Sequence, residues 1–374
     1  MHVTALELVD FRSYAHVQVD LDPGINVLIG RNGQGKTNIV EALGFVASLS
    51  SHRVASEQPL VRHDASHAVV RAAVERDERR LLLEVEIVPG KSNRARINKS
   101  PLPRARELLG VLRTVVFAPE DLGIVRGDPD GRRNFLDQLM VLRTPRLAGV
   151  KADYDKVLKQ RNALLKSVSA TRGQFDASTL EVWNDHLVDL GSELLEGRLQ
   201  LIRELREPVH QAYADLAPSE GEARLDYRAS WFEVSPLEVV DRDEVAAALR
   251  AALAGVERDE QQRGITLIGP HRDDLVLLLG EHPAKGFASH GESWSMVLAL
   301  RLASFGLLRA EGDDPVLILD DVFAELDTTR RERLADMVVG AEQVVVTAAV
   351  AEDIPKALSG VRFTVDSGQV KRDS

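Results

Sequence analysis

The sequence predicts an α/β protein in which both ends of the chain form one domain and a helical lobe is inserted between them. Short apolar strands alternate with helices near both termini, a leucine-rich helical pattern fills the middle, and a glycine-rich loop joins a strand to a helix near the N-terminus. We expect residues 1–120 and 265–374 to form the α/β domain, and residues 121–264 to form the helical lobe.

The elements of the N-terminal part follow from two spacings of apolar residues. Alternation predicts strands, and apolar residues three or four positions apart predict a helix. The predicted strands are 3–9, 15–21, 24–30, 68–74, 81–88 and 114–117, and the predicted helix covers 36–49.

From about Asp121 onwards, leucines at three- and four-residue intervals predict amphipathic helices with breaks at Pro145, Gly173 and Pro208. The longest, from about 178 to 206, would reach roughly 43 Å at 1.5 Å per residue, which is too short for a long coiled-coil arm. Strand patterns then return. The C-terminal elements are predicted as strands 265–268, 275–278, 316–319, 344–346 and 363–365 and a helix over 292–309.

The composition and the N-terminal sequence indicate the cellular compartment of the protein. The chain has no cysteine, which excludes disulfides and cysteine-ligated zinc. No stretch approaches the roughly 20 apolar residues that span a bilayer, and the N-terminus, with Glu7 in a strand-like alternation, differs from a signal peptide. We therefore expect a cytoplasmic protein without a membrane partner.

The charge is distributed unevenly. The net charge is −11, yet the segment from Lys91 to Arg172 holds 18 Lys and Arg against 8 Asp and Glu, a local net of +10. This basic segment is either a face for a polyanion or a set of scattered, solvated charges. Its densest part, the basic run, comprises Lys91, Arg94, Arg96, Lys99, Arg104 and Arg106 in a predicted loop.

Residues 30–37 form a phosphate-binding loop. The run Gly30, Arg31, Asn32, Gly33, Gln34, Gly35, Lys36 and Thr37 matches G-x-x-x-x-G-K-[ST] between a predicted strand and a predicted helix. Glycines allow backbone N–H groups to surround phosphate oxygens. Lys36 is expected to bridge the β- and γ-phosphates and the Thr37 hydroxyl to ligate Mg²⁺, so the loop predicts binding of ATP and Mg²⁺.

The apolar strand 316–319 ends in two carboxylates, Asp320 and Asp321. We expect Asp320 to complete the Mg²⁺ shell and Asp321 to polarise the attacking water. An Asp pair after a strand is otherwise a turn or a helix cap.

Three further features sort the chain among phosphate-loop proteins. Ser289, Gly291 and Glu292 at a helix start resemble the ABC signature, which binds the γ-phosphate held by the opposite subunit; Ser289 could equally be an ordinary helix cap. Residues 325–327 stand where ABC proteins carry the loop that crosses the dimer interface. Thr347 stands where transporters usually have a switch histidine.

Six longer stretches are more specific than these motifs, and several of them, 269–275 above all, are not general ABC features. They are 8–14 (LVDFRSY), 51–53 (SHR), 117–122 (FAPEDL), 132–137 (RRNFLD), 269–275 (GPHRDDL) and 319–327 (LDDVFAELD). The matches run from the first predicted strand to Thr347 and so span nearly the whole chain, and they resemble the bacterial RecF family of recombination mediators.

The resemblance implies a head like those of SMC and Rad50 proteins, an ATP-dependent homodimer with two nucleotides between its subunits, and weak, DNA-stimulated ATP hydrolysis. It implies binding to double-stranded DNA near single-strand gaps and cooperation with RecR-type and RecA-type partners in recombinational repair and replication-fork maintenance. Arg12 is expected to reach the nucleotide phosphates, or else to be a surface arginine. Arg132 and Arg133 are expected to contact DNA or a partner, or to lie on the surface.

The sequence departs from the usual ABC pattern at two points, and two other functions stay open as alternatives. Ser293 and Trp294 follow the signature unusually, and the glutamine with which many ABC domains sense Mg²⁺ has no clear counterpart, with Glu120 or Asp121 as candidates. The alternatives are the ATPase subunit of a transporter, which the helical insertion and Thr347 disfavour, and an SMC-like or Rad50-like structural ATPase, which the short helices and absent cysteines disfavour.

Overall fold

A computed structural model describes residues 1–77, 79–170, 177–218, 221–232, 241–312 and 314–373. The strands are β1 (His2–Phe11), β2 (Tyr14–Asp20), β3 (Gly24–Ile29), β4 (Ala68–Arg76), β5 (Arg79–Ile87), β6 (Arg94–Ile97), β7 (Ser100–Pro101), β8 (Thr114–Phe117), β9 (Ala223–Arg228), β10 (Asp274–Leu279), β11 (His282–Pro283), β12 (Val316–Asp320), β13 (Gln343–Ala348), β14 (Val361–Asp366) and β15 (Gln369–Arg372). The helices are α1 (Lys36–Ser48), α2 (Leu122–Arg126), α3 (Pro129–Arg143), α4 (Leu147–Ala170), α5 (Ala177–Leu216), α6 (Arg242–Arg263), α7 (Ala284–Phe287), α8 (His290–Ala310) and α9 (Thr328–Val338).

The chain forms two compact units. The terminal unit consists of Met1–Leu122, Pro208–Gly221 and Ser289–Ser374, and the helical unit of Gly123–Glu207 and Glu222–Ala288. The predicted α/β fold, with both chain ends together and a helical insertion, is confirmed. The domain boundaries predicted at residues 120 and 264 stay a prediction, and the compact units divide the chain at other residues.

The terminal unit contains two sheets with helix α1 packed against both. The antiparallel sheet has the order β2-β1-β4-β5-β6-β7, and the other has the order β15-β14-β3-β13-β12-β8, parallel except for β15. Helix α1 contacts β1, β4 and β5 of the first sheet and β8, β12 and β13 of the second. Because it is covered on both sides, every residue from Ile39 to Ala47 is buried.

The parallel sheet brings three strand ends to one edge. Strand β13 lies between β3 and β12, with Thr347 opposite Asp320 on one side and opposite Leu28 on the other. In parallel strands the carboxyl ends share one edge, where ligands commonly bind. The loop 30–37, which follows β3, is therefore held at the same edge as the carboxylates that follow β12.

The helical unit combines α3, α4, α6 and the first part of α5 with the antiparallel sheet β11-β10-β9. Helix α4 packs against α6, and α3 packs against β10. Leu187, Leu194 and Leu201 repeat every seven residues along α5 and are all buried. This spacing confirms the amphipathic helices predicted for this part of the chain.

The strand predicted over 265–268 is wrong. The backbone there is irregular, because side chains take the donors that a strand ladder would need. Asn162 Oδ1 accepts hydrogen bonds from the Thr266 N–H and hydroxyl, both at 2.7 Å, and Glu260 Oε1 accepts from the Leu267 N–H at 2.7 Å.

The helix break predicted at Pro208 is also wrong, since α5 continues through Pro208 to Leu216. Proline removes one helical hydrogen bond, but Val209, Tyr213 and Leu216 continue the buried face beyond it. Burial of that face outweighs the lost bond. The break predicted at Gly173 lies outside the described residues.

The motif 269–275 is a polar centre of the helical unit. Asp273 is buried and accepts hydrogen bonds from the Tyr227 hydroxyl and Trp231 Nε1, each at 3.0 Å. The Pro270 carbonyl accepts from Arg198 at 2.7 Å, and Arg198 also makes a bidentate pair with Asp137. Burial raises the pKa of Asp273 to about 6, with the positive charge of Arg198 opposing the rise.

Two arginines predicted to contact DNA or a partner, or to lie on the surface, belong to the same centre. Arg132 is buried and makes a bidentate pair with Asp274, at 2.7 and 3.0 Å. Arg133 donates to the Asp273 carbonyl at 2.5 Å. Arg132 is therefore used inside the helical unit, which corrects the prediction that it is exposed, whereas the half-buried Arg133 also pairs with the exposed Asp130.

The buried pair of Arg161 and Glu260 gives a test of this packing. Both side chains are fully buried, 2.6 Å apart. Arg161→Met should lower the free energy of unfolding by about 3–5 kcal/mol, because it leaves the Glu260 carboxylate buried without its partner.

Urea unfolding monitored by circular dichroism measures the decrease in stability. The matched control is Arg250→Met, which breaks an exposed pair with Asp185 and should cost at most about 1 kcal/mol. Equal decreases in the two variants would contradict the interpretation.

Candidate nucleotide site

The glycines of the loop 30–37 are required by its shape. Gly35 caps α1 with φ 111°, a conformation that L-residues with side chains avoid, and a Cβ there would lie 2.5 Å from the Tyr14 hydroxyl. Lys36 is buried, and its ammonium group donates to the Gly30 carbonyl at 2.7 Å. The loop thus folds around the Lys36 ammonium, and its glycines permit the backbone turn in which N–H groups surround a phosphate.

The C-terminal hairpin of β14 and β15 packs against this loop and is hydrogen-bonded to it. A Cβ at Gly30 would lie 2.2 Å from the Val365 carbonyl oxygen, so the two backbones are in contact. The Gln34 side-chain oxygen accepts a hydrogen bond of 2.6 Å from the Ser367 N–H. Residues more than 330 positions apart therefore hold the loop in place.

Two threonines organise the carboxylate of Asp320. Its Oδ1 accepts hydrogen bonds from the Thr37 hydroxyl at 3.1 Å and the Thr347 hydroxyl at 2.7 Å. The Thr347 hydroxyl also accepts from the Asp321 N–H at 2.9 Å. One hydroxyl thus fixes both members of the carboxylate pair, at the position where transporters usually have a histidine.

Asp321 has a special backbone and an altered acidity. Its φ is 51°, in the left-handed region. Burial raises the pKa of its carboxyl group, with the positive charge of Lys36 opposing the rise and the charge of Asp320 adding to it. A carboxylate of raised pKa at the mouth of a phosphate loop is suited to accept a proton from water.

Arg12 is held by a buried glutamate that the sequence motifs do not reveal. Glu41, fully buried on α1 one turn after Thr37, forms a bidentate pair with Arg12 at 2.6 and 2.8 Å. Arg53 and the Ser51 hydroxyl also bond to it, at 3.3 and 2.5 Å. Burial alone would raise the pKa of Glu41, but these hydrogen bonds and charges hold it below its ordinary value.

The contact of Arg12 with phosphates stays a prediction. The signal in the sequence for its actual partner was a glutamate within an otherwise apolar stretch of helix.

His52 lies between Ser51 and Arg53 and reaches the carboxylate pair. Its Nε2 lies 3.8 Å from Asp320 Oδ2, and its side chain is only 13% exposed. Nε2 is buried and has no hydrogen-bond partner among the residues that the structure describes. In the sequence this histidine stands out only as part of the stretch 51–53.

The two residues considered for sensing Mg²⁺ have other contacts. Asp121 is buried, caps a short turn through the Ala118 N–H, and pairs with Arg301 at 2.5 and 3.1 Å. Glu120 is 42% exposed and lies 3.6 Å from Arg53. Neither contacts Asp320 within the described part of the chain.

The signature residues form a separate cluster at the start of α8. Ser289 and Glu292 make a reciprocal capping box, with bonds of 3.2 and 2.7 Å, and the hydrogen bonds from Ser289 hold the pKa of Glu292 below its ordinary value. The Arg330 guanidinium lies over Gly291 and pairs with Asp327 at 2.7 Å. Among the described residues, no hydrogen bond or ion pair links 289–292 to the loop 30–37.

The residues at the strand ends fit a magnesium nucleotide. Mg²⁺ is usually held by one or two protein oxygens together with phosphates and waters, and Thr37 and Asp320 supply two adjacent oxygens. Within the described ranges no group of three or more His, Asp and Glu side chains forms a metal cluster, and no helix is both long and apolar enough to cross a membrane. The fold and this site define a phosphate-loop ATPase of the ABC type.

Comparison with known proteins identifies the family. A family model described as the RecF/RecN/SMC N-terminal domain matches residues 2–371. The DNA replication and repair protein RecF of Streptomyces avermitilis is 57% identical over 376 residues, with all of both chains covered.

Solved structures agree with this assignment. A structure of the recombination mediator RecF with ATP has a TM-score of 0.90 at 25% identity, covering 100% of this chain and 97% of that one. The Smc head domain of Pyrococcus furiosus shares the fold, with a TM-score of 0.56 at 17% identity over 100% and 96% of the two chains. The chain belongs to the RecF family, as its sequence motifs predicted, and is an ABC-type ATPase of DNA replication and repair.

Thr347 gives the sharpest test of the site. Thr347→Val keeps the volume but removes the hydroxyl that holds Asp320 and the Asp321 backbone. We expect ATP turnover to fall about 10- to 100-fold, the usual effect of removing a group that orients metal ligands. Thr347→Ser keeps the oxygen and should retain most of the activity.

Steady-state kcat and the nucleotide Kd are measured for both variants. A lower kcat at an unchanged Kd shows that the hydroxyl orients the two aspartates and does not contribute to nucleotide binding. Wild-type turnover in the valine variant would contradict the role.

Proposed function

We propose that the protein is an ATP-dependent DNA clamp, in which binding of ATP and Mg²⁺ closes a homodimer on double-stranded DNA near single-strand gaps and slow, DNA-stimulated hydrolysis releases it. The observation that carries the proposal is the meeting of Lys36, Thr37, Asp320 and Asp321 at one edge of the parallel sheet, fixed by Thr347. We place the protein in the cytoplasm.

The roles of the site residues follow from their contacts. The backbone N–H groups of 30–37 and the Lys36 ammonium bind the phosphates, while Thr37 and Asp320 hold Mg²⁺. Bound Mg²⁺ supplies Lewis-acid stabilisation of the phosphate charge. Asp321 accepts the proton of the attacking water, which its raised pKa supports. Arg12, which pairs with Glu41 one turn after Thr37 on α1, is proposed to reach the nucleotide phosphates.

The proposed dimer is supported by the separation of the two halves of the site. Ser289, Gly291 and Glu292 bond to each other or contact Arg330, while the loop 30–37 bonds within itself and to the C-terminal hairpin. We infer that the signature cluster binds the γ-phosphate held by a second copy. The His290 and Glu325 side chains, both exposed and 3.8 Å apart, lie at this proposed dimer face.

The DNA surface is assigned to part of the basic run. Residues 94–97 and 100–101 are paired strands instead of the predicted loop. Arg94 pairs with Glu86, and Arg96 pairs with Glu84, so their charges are locally balanced. Lys91, Lys99 and Arg104, by contrast, are exposed and form no ion pair with any described residue, which leaves them available to phosphates.

The family supports the wider role. The relatives are DNA replication and repair proteins, and a structural relative is a recombination mediator of the RecFOR pathway. We therefore propose cooperation with RecR-type and RecA-type partners. A transporter subunit is disfavoured by Thr347, whose hydroxyl is already bonded to both carboxylate residues.

Two substitutions test the nucleotide site. Lys36→Ala should abolish ATP-induced dimerisation, because the phosphates lose their ammonium partner. Asp321→Asn should keep ATP binding but slow hydrolysis at least 100-fold, the order expected when a general base is removed, and should accumulate the closed dimer. Light scattering with ATP and Mg²⁺, alongside phosphate release, measures both. ATP-dependent dimers of the alanine variant, or wild-type hydrolysis by the asparagine variant, would refute the corresponding role.

The basic run is tested by salt dependence. Replacing Lys91, Lys99 and Arg104 together by alanine should weaken duplex binding and flatten the slope of log Kd against log salt, by up to about 0.9 for each phosphate that the variant no longer neutralises. The matched control removes the same charge from exposed cations outside the segment, namely Lys356, Arg362 and Lys371. A slope altered equally by both triple variants would place the DNA surface elsewhere.

A further inference from the structure

We propose that His52 Nε2 accepts a hydrogen bond from a water molecule bound to Mg²⁺. His52 would thereby sense Mg²⁺, the role for which many ABC domains use a glutamine. The inference rests on the proposed function of the site, since it needs Mg²⁺ between Thr37 and Asp320. It assigns a role to a residue that no motif of the phosphate site includes.

The first argument concerns the two oxygens of Asp320. Its Oδ1 already accepts hydrogen bonds from Thr37 and Thr347. Its Oδ2 accepts none from the described residues, and the group beside it is His52 Nε2 at 3.8 Å, a separation too long for a hydrogen bond. The carboxylate therefore turns one oxygen inward to the protein and the other towards His52.

The second argument is that His52 Nε2 lacks a partner among the described residues. A buried polar atom without a hydrogen bond destabilises the fold, and such atoms commonly mark a site that a ligand or water completes. Waters bound to Mg²⁺ direct their hydrogens outward, because their oxygen lone pairs face the metal. They need acceptors, and a neutral imidazole with its proton on Nδ1 offers Nε2 as one.

The third argument is that the position of His52 is fixed from both sides. The Ser51 hydroxyl donates to Glu41 and accepts from the Arg53 N–H at 3.0 Å, and the Arg53 guanidinium bonds to Glu41 and Asn38. Glu41 lies on α1 one turn after Thr37. The histidine is thus held relative to the same helix that carries a metal ligand.

The alternatives from the sequence are otherwise engaged. Asp121 is committed to Arg301 and to a backbone cap, and Glu120 faces Arg53 at the surface. His52 is the group that the fold places against the outer oxygen of Asp320. Because it follows α1 instead of β8, a search for the glutamine by its usual position in the chain does not find it.

The test compares nucleotide affinity with and without the metal. A fluorescent ATP analogue is titrated into the full chain, once with Mg²⁺ and once with EDTA, and the ratio of the two Kd values gives the gain from Mg²⁺. His52→Ala should reduce this gain about three- to tenfold, the factor that one net hydrogen bond provides, and leave the Kd in EDTA within twofold of wild type. His52→Gln should restore most of the gain, since its amide oxygen is an acceptor.

Two controls separate this role from packing. His52→Phe fills the space without an acceptor and should lose the gain as the alanine variant does. His63→Ala removes a histidine whose side chain is 93% exposed and should change neither Kd. Thermal unfolding of each variant identifies any that fail to fold. If His52→Ala or His52→Phe fails to fold, the gain from Mg²⁺ in His52→Gln decides whether the acceptor is required.

Three outcomes overturn the proposal. They are an unchanged gain in His52→Ala, an equal decrease in affinity with and without Mg²⁺, or no restoration by glutamine when alanine lowers the gain. The proposed ATP site is judged independently by Lys36→Ala, which must weaken binding of the same analogue under both conditions. If the His52 variants contradict the proposal while Lys36→Ala weakens binding as expected, the proposed ATP-dependent clamp stands and only the sensing role of His52 is refuted.

Discussion

The pairing of β13 between β3 and β12 is the constraint on which the site depends. It places Thr347 opposite Asp320 on β12 and opposite Leu28 on β3, the strand after which the loop 30–37 begins. Because parallel strands end at a common edge, no long side chain has to span the distance between the loop and the carboxylates. A slip of one residue in β13 would turn the Thr347 hydroxyl away from both aspartates.

Around this edge, the buried carboxylates of Glu41 and Asp121 have specific partners. Glu41 has Arg12, Arg53 and Ser51, and Asp121 has Arg301. Buried carboxylates need such partners, because burial without them costs several kcal/mol. The same rule operates in the helical unit, where the residues 269–275 bind buried arginines. The family motifs 132–137 and 269–275 thus contribute contacts that compensate buried charge within the helical unit.

The sequence predicts local features well and partner choice poorly. The loop 30–37 and the strand before Asp320 were predictable, because each is specified by neighbouring residues. The environment of Arg12 was not, since its partner Glu41 lies on another element. The strand predicted at 265–268 was wrong because Asn162 and Glu260, on other elements, take its backbone donors. Hydrogen bonds of this kind, from a side chain on one element to the backbone of another, leave no periodic trace in the sequence.

The start of α8 shows that a helix cap and a phosphate ligand need not be competing explanations of one serine. The capping box satisfies the N–H groups of Ser289 and Glu292 through each other's side chains, and the Ser293 N–H bonds to the Ser289 carbonyl. The N–H groups of His290 and Gly291 have no hydrogen-bond partner in the described part of the chain, as expected for the first turn of a helix. They stand beside the positive end of the helix dipole, where an anion is favoured. The cap therefore holds the helix start through Ser289 and Glu292 and leaves the N–H groups of His290 and Gly291 unbonded to the described residues, so a capping serine and a phosphate-binding helix start are compatible.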